Sequence, residues 1–215
     1  MTTPWDAIFA SMQWGRYPSE MVVREVMGFL PRLRIDQLEA LDLGCGAGAH
    51  AALLAENGFQ VVAVDSSAEA LKQADATCFT RSVQVMVQLV RADYIAAWQH
   101  LHGKRYNVVL DWLSLTHAPP SKVVEVAKRT VEDHLAAPGR YILGVFGTQT
   151  DPAALEGRPP VVRWSDLDLA DLGQSLSIAA LGRGGSTTTR YHLEEQIYTM
   201  TGRRVQIWCL VIEND

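Results

Sequence analysis

Cysteine is scarce in this chain. The three present (Cys45, Cys78 and Cys209) are odd in number and too widely scattered for a disulfide framework, and free thiols in a reducing cytosol suit them better. Long apolar runs are lacking too: nothing reaches the roughly eighteen consecutive apolar residues that a membrane-spanning helix needs. The opening stretch MTTPWDAIFASMQWGRYPSE has no basic leader followed by an apolar core, so no secretory signal is expected. A surplus of basic residues is missing as well. With 19 Lys and Arg against 24 Asp and Glu, the net charge is −5, and the dense positive footprint on which nucleic-acid binding leans is absent. Lys104-Arg105 and Arg203-Arg204 are the nearest approaches to one. Nor does any Cys/His spacing match a metal site; His100 and His102 come nearest and read as a solvated helix end. The expectation is a cytoplasmic domain that acts on a small molecule.

Against these absences, residues 40–66, ALDLGCGAGAHAALLAENGFQVVAVDS, carry the most information. They read as a short apolar strand, a glycine-rich turn, a helix, a second apolar strand and an acid. Glycines in the turn reach backbone angles closed to other residues and let a ligand approach the main chain. The helix behind the turn offers free N–H groups and its positive dipole end to an anionic group. A carboxylate at the tip of the next strand, Asp65, can hold both hydroxyls of a ribose. An adenosine-bearing cofactor fits this outline. Gly44, Gly46 and Ala49 match the dinucleotide pattern G-x-G-x-x-G/A. Asp42 argues against a dinucleotide, since a carboxylate two residues before the first glycine suits an ammonium group better than a pyrophosphate.

Apolar residues recur at helical spacing over residues 19–33, with Ser19 as N-cap and Pro31 disturbing the last turn. Strands are predicted at 40–43, 60–64, 83–91, 107–113 and 140–146. Helices are predicted between them at 49–57, 68–76, 95–101 and 123–135. A capping box at Ser66-Ser67-Ala68-Glu69 opens the second of these, and Pro138-Gly139 closes the last. Five alternations of strand and helix give an α/β fold with a parallel sheet, right-handed crossovers and helices on both faces. The last third changes character. A short helix at 165–172 is expected at most, then extended segments at 176–181, 189–200 and 205–213 separated by glycine turns, as in antiparallel hairpins.

The segment D-L-G-C-G-A-G strongly resembles motif I of class I S-adenosylmethionine-dependent methyltransferases, and the resemblance spans most of residues 15–147. It implies a Rossmann-like parallel sheet closed by an antiparallel C-terminal strand pair, the seven-stranded methyltransferase fold. A helical cap over residues 1–34, a cofactor core over 35–147 and a substrate-side segment over 148–215 would make up one domain. The cofactor implied is S-adenosyl-L-methionine. Asp42 and the loop Gly44, Cys45 and Gly46 would meet its amino acid tail, and Asp65, with Ser66 beside it, its ribose. Asp93 matches the family's acid after strand three, which accepts from the adenine amino group, although an Asp there also caps helices. Ala92 and Tyr94 flank it at the adenine face. YNVVLDWLSLTHAPP resembles motif IV, so Asp111 would approach the methionine amino group and Trp112 would line the crevice. Trp14-Gly15-Arg16-Tyr17-Pro18 resembles the segment that folds over the cofactor in small family members, with Tyr17 as a contact. His117 follows strand four, where family members place a residue touching the acceptor. It would take a proton during transfer, or it is a loop histidine bonded to the backbone.

The activity implied is direct in-line methyl transfer to an oxygen or nitrogen of a small-molecule acceptor, without a metal. An NAD(P)-dependent reductase and a non-catalytic cofactor-binding regulator stay open as alternatives. So does the oligomeric state, where pairing of the closing strands would give a dimer.

Overall fold

Leu38–Leu43 forms β1, Phe59–Asp65 forms β2 and Tyr106–Trp112 forms β4, and each is apolar and buried along most of its length. Runs of this kind form parallel strands with both faces covered. In the computed structural model, which describes residues 3–215 apart from 12–14, 35, 94–100, 102, 157, 182–185 and 199–202, β1 pairs in parallel with both β2 and β4. β3 (Val87–Arg91) extends the sheet beyond β2, and β5 (Leu135–Phe146) extends it beyond β4. β7 (Arg203–Asn214) runs antiparallel to β5, and β6 (Thr187–Tyr198) pairs antiparallel with β7 at the edge. Among the described residues this makes one seven-stranded sheet of order β3-β2-β1-β4-β5-β7-β6. The chain steps outward from β1 to β3 and then returns to β4 on the other side of β1. That reversal opens a crevice at the carboxyl ends of β1 and β4, where ligands bind in open α/β sheets.

Side chains alternate across each strand, so each face has its own core. Leu41, Leu43, Val109 and Leu143 pack with α5 (Pro120–His134) and α6 (Asp166–Leu181). Ala40, Val108, Leu110 and Ile142 pack with α2 (Glu20–Phe29) and α3 (Ala49–Glu56). α1 (Pro4–Ser11) lies against α4 (Ala68–Thr80). At the amino end of the sheet's parallel part, Arg140 of β5 is buried between Glu25 of α2 and Glu213 of β7. No described helix is long and apolar enough to cross a membrane.

Three local expectations differ from the structure. The third strand begins at Val87, not Val83, because β2 offers a partner only from Val61↔Val87 onward. Gln84–Met86 turns as a 3-10 helix, leaving Val85 exposed. Residues 176–181 are helical, not extended. Leu169, Leu172, Leu176 and Ala180 recur every three or four residues, and that spacing seals α6 over the first core. Pro138 and Gly139 lie inside β5 and do not close the preceding helix. The β4–β5 register shifts between Tyr106 and Val108, an irregularity at which a proline is tolerated. The expected helix at 95–101 lies mostly outside the described residues.

Candidate active site

The glycine loop leaves β1 closely flanked by Ser114 and by Ala74 of α4. Gly44 and Cys45 both donate backbone N–H bonds to Val64 O, at 2.8 and 3.0 Å, which turns the chain back over the end of β2. Gly44, Gly46 and Gly48 all have positive φ. At Gly44 a Cβ would lie 1.9 Å from Ser114 Oγ; at Gly48 it would lie 2.8 Å from both Cα and Cβ of Ala74 in α4. Gly48 is also the N-cap of α3. We expect Gly48→Ala to cost about 1–3 kcal/mol of stability through backbone strain and contact with α4, read as a lower urea midpoint with unchanged slope.

Asp65 ties this loop to the next turn. Its Oδ2 accepts from Gly46 N at 2.9 Å and its Oδ1 from Ser67 N at 2.8 Å. Burial pushes its carboxyl upward, and the backbone N–H donors at Ser67 and Gly46 oppose that shift. The cap of α4 is Ser67, one residue later than the expected box. Its Oγ accepts from Ala70 N at 3.1 Å and donates to Asp6 Oδ1 at 2.8 Å. The Thr3 backbone N–H and the Ser67 hydroxyl hold Asp6 well below the usual carboxylate range. α1 is thereby fastened over the end of α4, with the Phe9 ring 3.4 Å from where a Gly46 Cβ would stand.

Above this frame lies a cavity of about 620 Å³. Most residues singled out from sequence reach its wall. Gly44, Cys45 and Gly46 form one side, Asp65 and Ser66 follow from β2, and Ala92 and Asp93 follow from β3. Tyr17 stands at the rim, 78% exposed, while Trp112 and His117 close the end beyond β4. Trp112 owes its position to Gly144 on β5, where a Cβ would come within 2.5 Å of the indole. Tyr94 and Trp14 lie outside the described residues. Burial, the largest cause, raises the Cys45 thiol well above its ordinary value, so this sulfur is not a nucleophile.

Asp42 and Asp111 are both buried, and neither is among the described residues that line the cavity. Asp111 Oδ1 accepts from Leu115 N at 3.1 Å and thereby shapes the turn that carries His117. Burial raises Asp42 to about 7, with Asp65 adding to it, and raises Asp111 to about 8. One oxygen of each, Oδ2, has no partner among the described residues.

His117 Nδ1 lies 3.2 Å from Pro160 O. A carbonyl can only accept, so Nδ1 carries the proton and Nε2 keeps its lone pair. Burial lowers the pKa of this histidine, and Arg158, also on the wall, lowers it further. Trp5 of α1 meets its ring edge-on at 4.6 Å. The sequence reading passed over His50, Ser19, Glu20 and Ser114, which also line the cavity. A polar side chain one residue into the helix behind the loop was a signal for His50; the others are brought in only by the fold.

Residues 40–137 match a family model described as a methyltransferase domain. The match runs from β1 to the start of β5, just under half of the chain. The ubiquinone biosynthesis O-methyltransferase of Leptothrix cholodnii is 30% identical over 101 residues, which cover 46% of this chain and 42% of that protein. The chain thus aligns with less than half the length of that relative. Two likenesses to solved structures concern the fold alone. Magnesium protoporphyrin IX methyltransferase from Synechocystis, solved with bound S-adenosylhomocysteine, superposes with a TM-score of 0.64 at 16% identity, covering 97% of this chain and 92% of that one. A protein of echinomycin biosynthesis, studied for converting a disulfide bond into a thioacetal group, gives 0.69 at 19% identity, covering 100% and 93%. The cradle suits an adenosine-bearing cofactor with an amino acid tail. Gly44 leaves no room for a Cβ beside Ser114, the volume takes an adenosine with a methionine tail, and the described lining residues include the carboxylates of Asp65 and Asp93 and no lysine.

Proposed function

We propose that this protein transfers a methyl group from S-adenosylmethionine to an oxygen or nitrogen of a small-molecule acceptor by direct in-line displacement. One observation carries the reading: an Asp65-pinned glycine loop and a neutral histidine with an unprotonated Nε2 share a single cavity. When bound, the cofactor supplies a methyl already made electrophilic by its sulfonium. The residues have two tasks left, to place the acceptor in line and to keep water out. Alignment of this kind is worth roughly 7–11 kcal/mol in favourable cases. Trp5, Phe9, Trp112 and Leu113 give the crevice apolar walls in which positive charge can disperse. Asp65 takes the ribose hydroxyls and Asp93 the adenine edge. Asp111 acts on the turn that carries His117, by accepting from Leu115 N. A reducing cytosol suits the three buried free thiols, and the net charge of −5 favours a small molecule over nucleic acid.

In this reading His117 accepts the acceptor's proton, a contribution of about 10²–10⁴-fold where a hydroxyl must be deprotonated. His117→Ala is expected to lower kcat for a hydroxyl acceptor by about 10²-fold and to leave cofactor affinity unchanged. Only the neutral imidazole can take a proton, and its pKa is lowered from 6.5. The wild-type rate should therefore climb as pH rises through a value below 6.5 and level off above it. A rate that falls over that interval would remove His117 from the role. The reading as a whole is tested by incubating the protein with methyl-labelled S-adenosylmethionine and a panel of hydroxylated and amino acceptors, with product read by mass spectrometry. Cofactor binding without S-adenosylhomocysteine formation on any acceptor would favour the non-catalytic alternative.

A further inference from the structure

His50 is the second residue of α3, half-buried, and it lines the cavity. Its Nε2 accepts from the backbone N–H of Ser19 at 3.0 Å, across 31 residues of sequence. Burial pushes its pKa down to about 4, so the ring is neutral and able to accept. Ser19 is the N-cap of α2, and its carbonyl accepts from Val23 N at 2.9 Å. With both backbone groups engaged, Ser19 is a fixed point between the helix and the strap of residues 15–20. Gly15, Tyr17, Pro18 and Glu20 of that strap all line the cavity. Among the described residues, no other hydrogen bond ties 15–19 to the cofactor loop or to α3. The same imidazole meets the Trp112 indole edge-on at 6.4 Å, so it sits between two walls of one crevice.

We infer that His50 is a positioning residue that fastens the 15–20 strap to the first turn of α3 and so holds it over the cofactor. The inference rests on the methyltransferase reading for its functional consequence, but the fastening itself is a property of the free protein. Without an acceptor at His50, the Ser19 N–H and the strap lose their anchor, and a bound cofactor leaves faster. The reaction chemistry at His117 is untouched, so the effect belongs in affinity and KM and not in kcat.

Two variants separate this from a packing role. His50→Phe keeps a flat ring against Trp112 but cannot accept; His50→Gln restores an acceptor oxygen. Hydrogen exchange of the Ser19 amide in the free protein should be slow in wild type and His50→Gln and fast in His50→Phe. Calorimetric titration of S-adenosylhomocysteine should show Kd raised about tenfold in His50→Phe, the loss of one partly buried hydrogen bond, and within about threefold of wild type in His50→Gln. The KM for S-adenosylmethionine should follow Kd with kcat nearly constant. Unchanged Ser19 exchange in His50→Phe would overturn the fastening, whatever the cofactor does. Equal impairment in both variants would mean packing and overturn the inference too. Slow exchange as predicted but no binding of S-adenosylhomocysteine to wild type would keep the anchor and sink the methyltransferase reading, and the strap's role over the cofactor with it.

Discussion

Arg140→Ala is expected to lower the free energy of unfolding by about 3–5 kcal/mol, the loss typical when one member of a buried ion network is removed. The guanidinium is 4% exposed and joins three elements. One nitrogen donates to Glu25 O at 2.6 Å and to Glu25 Oε2 at 3.0 Å, and the other donates to Glu213 Oε1 at 2.7 Å. Its face rests on the Phe29 ring, 4.5 Å from the centroid. Truncation would leave two carboxylates of 8% and 3% exposure at the junction of α2 with β5 and β7. Arg190 touches the same two acids at 3.1 and 2.8 Å but is 39% exposed, so water already screens it. Arg190→Ala should therefore cost about 1 kcal/mol or less. Urea unfolding of both variants at pH 7 checks this. A loss at Arg140 no larger than at Arg190 would show that Arg190, helped by the ion pair of Arg32 with Glu213, can neutralise the acids without Arg140.

That network was invisible in the sequence, and its invisibility is instructive. Glu25 sits in a helix whose apolar residues Val22, Val26 and Phe29 recur at helical spacing, and a charged residue among them reads as solvent-facing. Its partner lies 115 residues away and has no local signature. The clustering of the glycine loop with Asp65 was legible for the opposite reason. Gly44, Gly46 and Asp65 lie within a single strand–turn–helix–strand unit, so spacing alone brings them together. The buried strands were legible because continuous apolar runs bounded by turns leave few other assignments. α6 was not, since SLSIAAL suits a strand or a helix until something packs against its 3.6-residue face. Asp42 and Asp111 show a finer limit. The sequence places a carboxylate at the end of a strand, but whether it lines the cavity depends on strand twist and on the turn that follows.

Asp65→Ala should abolish micromolar cofactor binding, raising Kd at least about 100-fold, or about 2.8 kcal/mol. Two losses combine here. The ribose loses its acceptor, and the loop loses the bonds from Gly46 N and Ser67 N that set its shape. Asp65→Asn separates less than its similar volume suggests. An amide has one acceptor oxygen, so its NH₂ group must face either the Gly46 or the Ser67 N–H, donor against donor. Asparagine is thus expected to bind nearly as poorly as alanine, whereas a site that needed only bulk at this position would accept it. Titration of S-adenosylhomocysteine and NADPH into wild type and both variants, with thermal melts alongside, decides the matter. Binding of the sulfur ligand that survives in Asp65→Ala would confine Asp65 to pinning the loop and move the ribose contact elsewhere on the wall. Binding of NADPH alone would return the site to the reductase alternative. The loop's geometry argues against that outcome, because Asp65 sets a negative charge beside the N–H groups a pyrophosphate would need and already engages one of them at Gly46.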